Sequence, residues 1–433
     1  METPAQDITA PAAIYEIAGR RFEIGSPGFA DAVADAHASH QRPRCLCLAE
    51  GVEMYVARLG EGYIVKRMPD TGSHHAPDCP SYEPPAEFSG LGQVLGSAIT
   101  EDPATGETTL KLNFPLTKMP GRSIMPPAGG EIDSISSSGA RLSLRGLLHY
   151  LWDQAELTRW HPGFAGKRTW ATVRRHLLQA AEHMLARGDA LRARLYVPEP
   201  FSIAEREAIN ARRQVHWQHA VPGKAQHLML LIGEVKEIVS ARYGFKAVVK
   251  HMPDQAFAID EQLYRRLGWR FEPELALWGA SDDIHMVMIA TFGVGRAGVP
   301  AIHELCLMPV TRHWLPVADG FEKLLLDRLV DQNRSFVKGL HYNLRRGDRI
   351  ASAVLTDCDG SAPMLFIGRA NADESLLGPE TGAAGEAPIW RWFRSSEPMP
   401  PLPLPRAHSP QPAPRQAERA SGTALTAAKG DDG

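Results

Sequence analysis

Cysteine is scarce in this chain of 433 residues, which carries five, an odd number. That argues against a disulfide framework and makes a reducing cytoplasm the expected compartment. Net charge is nearly as scarce: 47 Lys and Arg against 50 Asp and Glu give a formal −3. Nucleic acid would therefore have to be met by a local basic patch rather than by the whole molecule. Long apolar runs are missing too. The longest, around HLMLLIG, suits a buried strand and falls far short of a bilayer span, so no membrane contact is expected. The opening METPAQDITAPAA has neither the basic start nor the apolar segment of a secretory signal. Nor is there a phosphate-cradling glycine loop, since TFGVGRAG lacks the lysine and serine of a P-loop.

What is present is enough for more than one core, with 44% hydrophobic and 22% charged residues. The pattern predicts a multi-domain α+β protein. Residues 1–13 read as disordered, 14–85 as a β module, 86–137 as a hairpin and linker, and 138–200 as a helical pair. An α+β domain on a largely antiparallel or mixed sheet is expected at 201–393, and a disordered Pro-rich tail at 394–433. In the β module YEIAGRRFEIG alternates as a strand pair, and MYVARLG and YIVKRMP form a hairpin about Gly60 and Gly62. Leu144, Leu147, Leu148 and Leu151 recur at helical spacing, as do Trp170, Val173, Leu177 and Ala181.

Three of the five cysteines crowd into one stretch, RPRCLCLAEGVEMYVARLGEGYIVKRMPDTGSHHAPDCPSY. Cys45-x-Cys47 precedes the hairpin, and a histidine pair with Cys79 follows it. Thiolate and imidazole donors in two short clusters joined by strands are what a structural zinc ion requires. Cys45, Cys47 and Cys79 supply three ligands, and His74 or His75 the fourth. A segment this small buries little, so the ion would provide much of its folding free energy.

The stretch resembles the domain of unknown function 1173 family of bacterial proteins. The likeness rests on RPRCLC, KRMPDTGSHHAPDC, LHYLWDQAELTRWHPGFAGKRTWATVR and LIGEVKEI and covers nearly all of the chain but its tails. The resemblance implies a CxC paired with an H-x-x-x-C, hence Cys45, Cys47, His75 and Cys79, and a soluble protein often linked to conjugative or integrative elements. It implies no reaction.

Basic residues supply the candidate nucleic-acid contacts. Arg58, Lys66 and Arg67 lie on the zinc hairpin, either offsetting a site of three thiolates and one divalent ion or touching phosphate. Lys167, Arg168, Arg174 and Arg175 belong to the second helix of the pair. That pair could be a helix-turn-helix with a long connector, or a winged-helix variant with RLYVPEP as its wing. A DNA, RNA or protein partner would suit such a chain.

Two echoes of nucleases complete the reading. Glu234 and Lys236 share one face of a strand, as in the carboxylate–lysine half of a magnesium site. The run from VADGFEKLLLDRLV to APMLFIG resembles a restriction-endonuclease-like core. There, however, Ala353 and Met364-Leu365-Phe366 stand where metal-holding acids belong, so a domain of that kind would lack its ion. Cys306 reads as core. Cys358, between two aspartates, reads as an unreactive thiol.

Overall fold

The computed structural model describes residues 13–59, 62–118, 140–220, 226–345, 348–360, 362–368, 388–394 and 398–406. The disorder expected for the start of the chain, most of the Gly/Pro/Ser-rich linker (119–139) and the end of the tail fall outside these residues, although Ala13 is described and buried.

The chain begins with a small antiparallel sheet, in the order Arg20–Glu23, Ile14–Ile17, Arg44–Cys45, Val52–Leu59 and Gly62–Arg67. Alternation turns Tyr15, Ile17 and Phe22 inward, where the helix Phe29–Ala38 adds Val33 and Ala36. That core is too small to close alone. Ala351, Val354, Ala362 and Met364, from late in the chain, complete it. The segment expected as a module at 14–85 thus shares its buried core with residues from late in the chain.

The largest sheet rolls into a closed ring. Met229–Ser240 is long enough to bend, pairing over Met229–Val235 with Ile284–Val294 and over Val235–Ser240 with Phe245–Val249. Ala256–Ile259 and Pro300–Thr311 close the circuit. Over Met229–Val235 and Ile284–Val294 its strands read as nearly continuous apolar runs because both faces are covered there. Leu230, Ile232, Phe257, Met288 and Phe292 are fully buried, and the helix Leu144–Gln154 lies against Ile284–Val294 and Pro300–Thr311. The RLYVPEP segment does not make a wing: Leu195–Tyr196 pairs parallel with Leu230 and Leu231.

A third sheet runs Ile389–Phe393, Met364–Gly368, Ala353–Leu355, Phe336–Lys338 and Arg159–Trp160. The helix Gly320–Asp331 covers it through Leu325, Leu326 and Leu329. Asp319 caps that helix by accepting from the Glu322 amide at 3.0 Å. The strand Arg159–Trp160 comes from the connector between Leu144–Gln154 and Trp170–Ala180. That connector is long because it contributes to this sheet, so the two helices are not a free-standing recognition unit. Ala353, Met364 and Leu365 are buried, as apolar residues on paired central strands should be.

The tail is corrected in part. Over 398–406 it is extended chain packed on the fold: Trp390 Nε1 donates to Pro401 O (2.9 Å), and Arg334 Nη1 donates to Pro403 O (2.6 Å). Met399 and Leu402 reach the core beneath the third sheet. A Pro-rich segment has few backbone donors to satisfy, so side-chain donors on the body can fix its carbonyls. No helix among the described residues is long and apolar enough to cross a membrane.

One glycine locks the halves together. The Gly90 amide donates to Leu340 O at 2.8 Å, and a Cβ there would lie 2.0 Å from His341 O. Gly90→Ala must therefore push two backbones apart. We expect it to cost about 2 kcal/mol or more, read as a lower urea midpoint at unchanged slope. An unaltered midpoint would refute that close approach.

Candidate metal centre and the clefts beside it

Cys45 ends a short strand, and the turn that follows brings Cys47 round to the same side. A 3-10 turn over Gly72–His74 leads into His75, and the next turn, with Cys79 N donating to Ala76 O (2.9 Å), presents Cys79. His75 is 3% exposed, whereas His74 faces solvent. Of the two histidines left open by spacing, His75 is the one the fold brings to the cysteines.

Cys45 Sγ lies 3.7 Å from Cys79 Sγ, Cys47 Sγ 3.4 Å from His75 Nδ1, and Cys79 Sγ 3.7 Å from His75 Nδ1. One donor atom from each of the four residues falls within 4.8 Å of the others. A tetrahedral zinc with bonds of ~2.3 Å to sulfur and ~2.0 Å to nitrogen would set its ligand atoms about 3.5–3.8 Å apart. The donor set fits such an ion in both chemistry and spacing. Ala76 N and Ser81 N point at Cys47 Sγ and Cys79 Sγ (3.5 and 3.4 Å), as outer-shell amides do when sulfurs carry negative charge. Held by protons alone, the cluster shares them unequally. The Cys45–Cys79 contact, with burial, pushes the Cys79 thiol up to about 12, and the same contact holds Cys45 below its usual value.

Beside this centre lies a cleft of about 210 Å³, walled by Cys79, Pro80, Trp160, Phe164, Lys167 and Arg175 among others. It adjoins a deeper cavity of about 380 Å³, and Pro80, Glu156, Arg159 and His176 line both. In the deeper cavity Arg67 pairs with Glu83, and Thr158 Oγ1 donates to Asp153 Oδ1 at 3.0 Å. Burial is the leading cause that raises the carboxyls of both Glu83 and Asp153, against the pull of Arg67.

The basic residues expected to meet nucleic acid divide between these places. Lys167 and Arg175 are exposed and line the smaller cleft. Arg168 lines it too, but its guanidinium donates to Leu157 O (3.0 Å) and to Arg159 O, and burial pushes it down to about 10. Arg174 donates to Val197 O at 3.1 Å. Lys66 and Arg67 line the deeper cavity, where burial lowers Lys66, and Arg58 lies exposed on its own strand. Glu234 is spoken for: its Oε1 lies 2.6 Å from Lys250 Nζ and 2.7 Å from His285 Nδ1. Among the described residues, Cys45, Cys47, His75 and Cys79 are the group of three or more His, Cys, Asp or Glu whose donors converge. Cys306 is buried in its strand. Arg334 donates to Cys358 Sγ at 3.3 Å, yet burial raises that thiol overall.

Sequence reasoning gave no role to Trp160, His161, Glu83 or Asp153. The only signal was an aromatic and a histidine side by side in a connector too long for a turn.

The sheet, the cysteine–histidine cluster and the adjoining clefts define a mixed α+β protein with a candidate metal centre. A family model described as a protein of unknown function (DUF1173) matches residues 15–395, most of the chain. The chain belongs to that family. Searches among curated proteins and among solved structures found no match.

Proposed function

We propose that this chain is a zinc-organised, non-enzymatic binding protein, with nucleic acid as its partner and the metal in a structural role. The observation that carries the zinc reading is the four-donor cluster, with three of its contacts at 3.4–3.7 Å and all its donors within 4.8 Å of one another. Three thiolates and one imidazole form a complete first shell, which suits a structural ion rather than one that must admit substrate. Such an ion would be held by Cys45 and Cys47 on one side and by His75 and Cys79 on the other. It would tie the hairpin's two ends at the point where its core joins Ala351 and Met364. The nucleic-acid reading is supported by the position of Lys167 and Arg175 on the cleft beside the centre. A setting in mobile elements is supported by the family resemblance alone.

Metal analysis of the purified chain should find about one zinc per molecule, as one four-donor site holds one ion. Cobalt(II) exchanged into it should give the visible absorption of tetrahedral thiolate coordination. Protein that folds cooperatively with no bound metal would overturn the zinc reading.

A further inference from the structure

Trp160 is 2% exposed, and its Nε1–H is buried without a hydrogen-bond partner. A buried donor left unpaired is uncommon and asks for an acceptor. Trp160 lines the smaller cleft, and so does its neighbour His161. His161 Nδ1 accepts from the Gly163 amide at 3.1 Å, which fixes the neutral tautomer with the proton on Nε2. Burial lowers the His161 pKa and keeps that tautomer neutral. The strand and turn thus offer two neutral N–H donors.

Cations surround them. Arg159, Lys167, Arg168 and Arg175 line the cleft against two carboxylates, Asp78 and Glu156, and Asp78 is paired with Arg406 at 2.9 Å. Lys167 and Arg175 form no ion pair among the described residues, although Arg175 Nη2 sits 3.4 Å from His176 Nε2. Arg175 and Thr172 stand on the first half of the helix Trp170–Ala180, whose dipole adds to the positive field. Neutral donors flanked by exposed cations are the recognition chemistry of a tetrahedral oxyanion. At about 210 Å³ the cleft takes a phosphate and little of what is attached to it.

We infer that this cleft is a phosphate-binding site, where Trp160 Nε1–H and His161 Nε2–H donate to the phosphate oxygens of a nucleic-acid backbone while Lys167 and Arg175 neutralise its charge. The inference rests on the nucleic-acid reading above and adds the atoms that would touch the phosphate. It does not depend on which metal fills the neighbouring centre.

The test uses the full-length chain as purified, labelled with nitrogen-15 at tryptophan, with zinc content and thermal midpoint recorded alongside. The Trp160 indole resonance is assigned by its disappearance in Trp160→Phe. It should move on titration with a single-stranded oligonucleotide. Lys167→Ala combined with Arg175→Ala should weaken oligonucleotide binding at least tenfold. It should also reduce the salt slope by about 1.4, roughly 0.7 for each cation withdrawn from a single-stranded phosphate. Both substitutions are at exposed positions, so the double variant should keep its thermal midpoint. An indole resonance that stays still while oligonucleotide saturates the protein would overturn the inference, as would unchanged affinity in the double variant. Response to inorganic phosphate without oligonucleotide binding would also overturn it, because the site would then serve a small phosphate. Folded, zinc-loaded protein that binds no oligonucleotide removes this inference and leaves the metal reading standing. Binding by protein without zinc does the reverse.

Discussion

Replacing Cys79 with serine should release the proposed zinc and unfold the amino-terminal sheet. Cys79 is 5% exposed, lies within 3.7 Å of both Cys45 and His75, and belongs to the same core as Tyr15, Ile17 and Met54. Serine keeps the size but is a poor zinc ligand. On the proposed zinc reading the three donors left behind, of which Cys45 and His75 are buried, would lose the ion that joins them. Structural zinc sites in small modules contribute on the order of 10 kcal/mol of apparent binding free energy, more than a sheet this short can replace. Limited proteolysis should cut the variant between residues 14 and 85, while the ring-shaped sheet keeps its protection against hydrogen exchange. A chelator acting on the native chain should give the same pattern. A Cys79→Ser chain that retains zinc and resists cleavage at 14–85 would show that the cluster is ordinary core.

Lys338→Met should also be severely destabilising, at a place remote from any metal. Lys338 is 3% exposed, and its ammonium donates to Glu322 Oε1 at 2.8 Å and to Gly339 O at 2.5 Å. Glu322 is itself buried, and its other oxygen accepts from Ala318 N at 2.7 Å. Removing the lysine leaves a carboxylate without its counter-charge inside the protein, a change that costs about 3–5 kcal/mol. Denaturant melts should show that loss. Adding Glu322→Leu to Lys338→Met should recover much of it, because the stranded charge is gone. Equal stability of the single and double variants would mean that the pair is hydrated in solution.

How much of this could be read from residues alone differs from place to place. Local patterns were informative. The alternation in YEIAGRRFEIG and the leucines from Leu144 to Leu151 each correspond to an element of the structure. The convergence of Cys45, Cys47, His75 and Cys79 was legible because cysteine and histidine are rare enough for their spacing to carry information. Partnership over long distances was not. That Arg159–Trp160 joins Phe336–Lys338, or that the Met229–Ser240 strand serves two neighbours and closes a ring, follows from packing of faces that are apolar on both sides. Such runs have no period to say which strand lies next to which. The same blindness hid the cleft. Trp160 reads as one more aromatic until the fold leaves its indole nitrogen without an acceptor, and Arg168 reads as a surface cation until carbonyls surround it.

The shared core between the first sheet and residues 351–366 has a consequence for synthesis. The earliest strands leave the ribosome long before Ala351, Val354 and Met364 are made, and until then Tyr15, Ile17 and Met54 have no lid. A nascent chain could cover only part of that face with its own helix. On the proposed zinc reading, capturing the ion early would hold the hairpin in register through the wait, and a host short of zinc would leave a sticky intermediate for its chaperones.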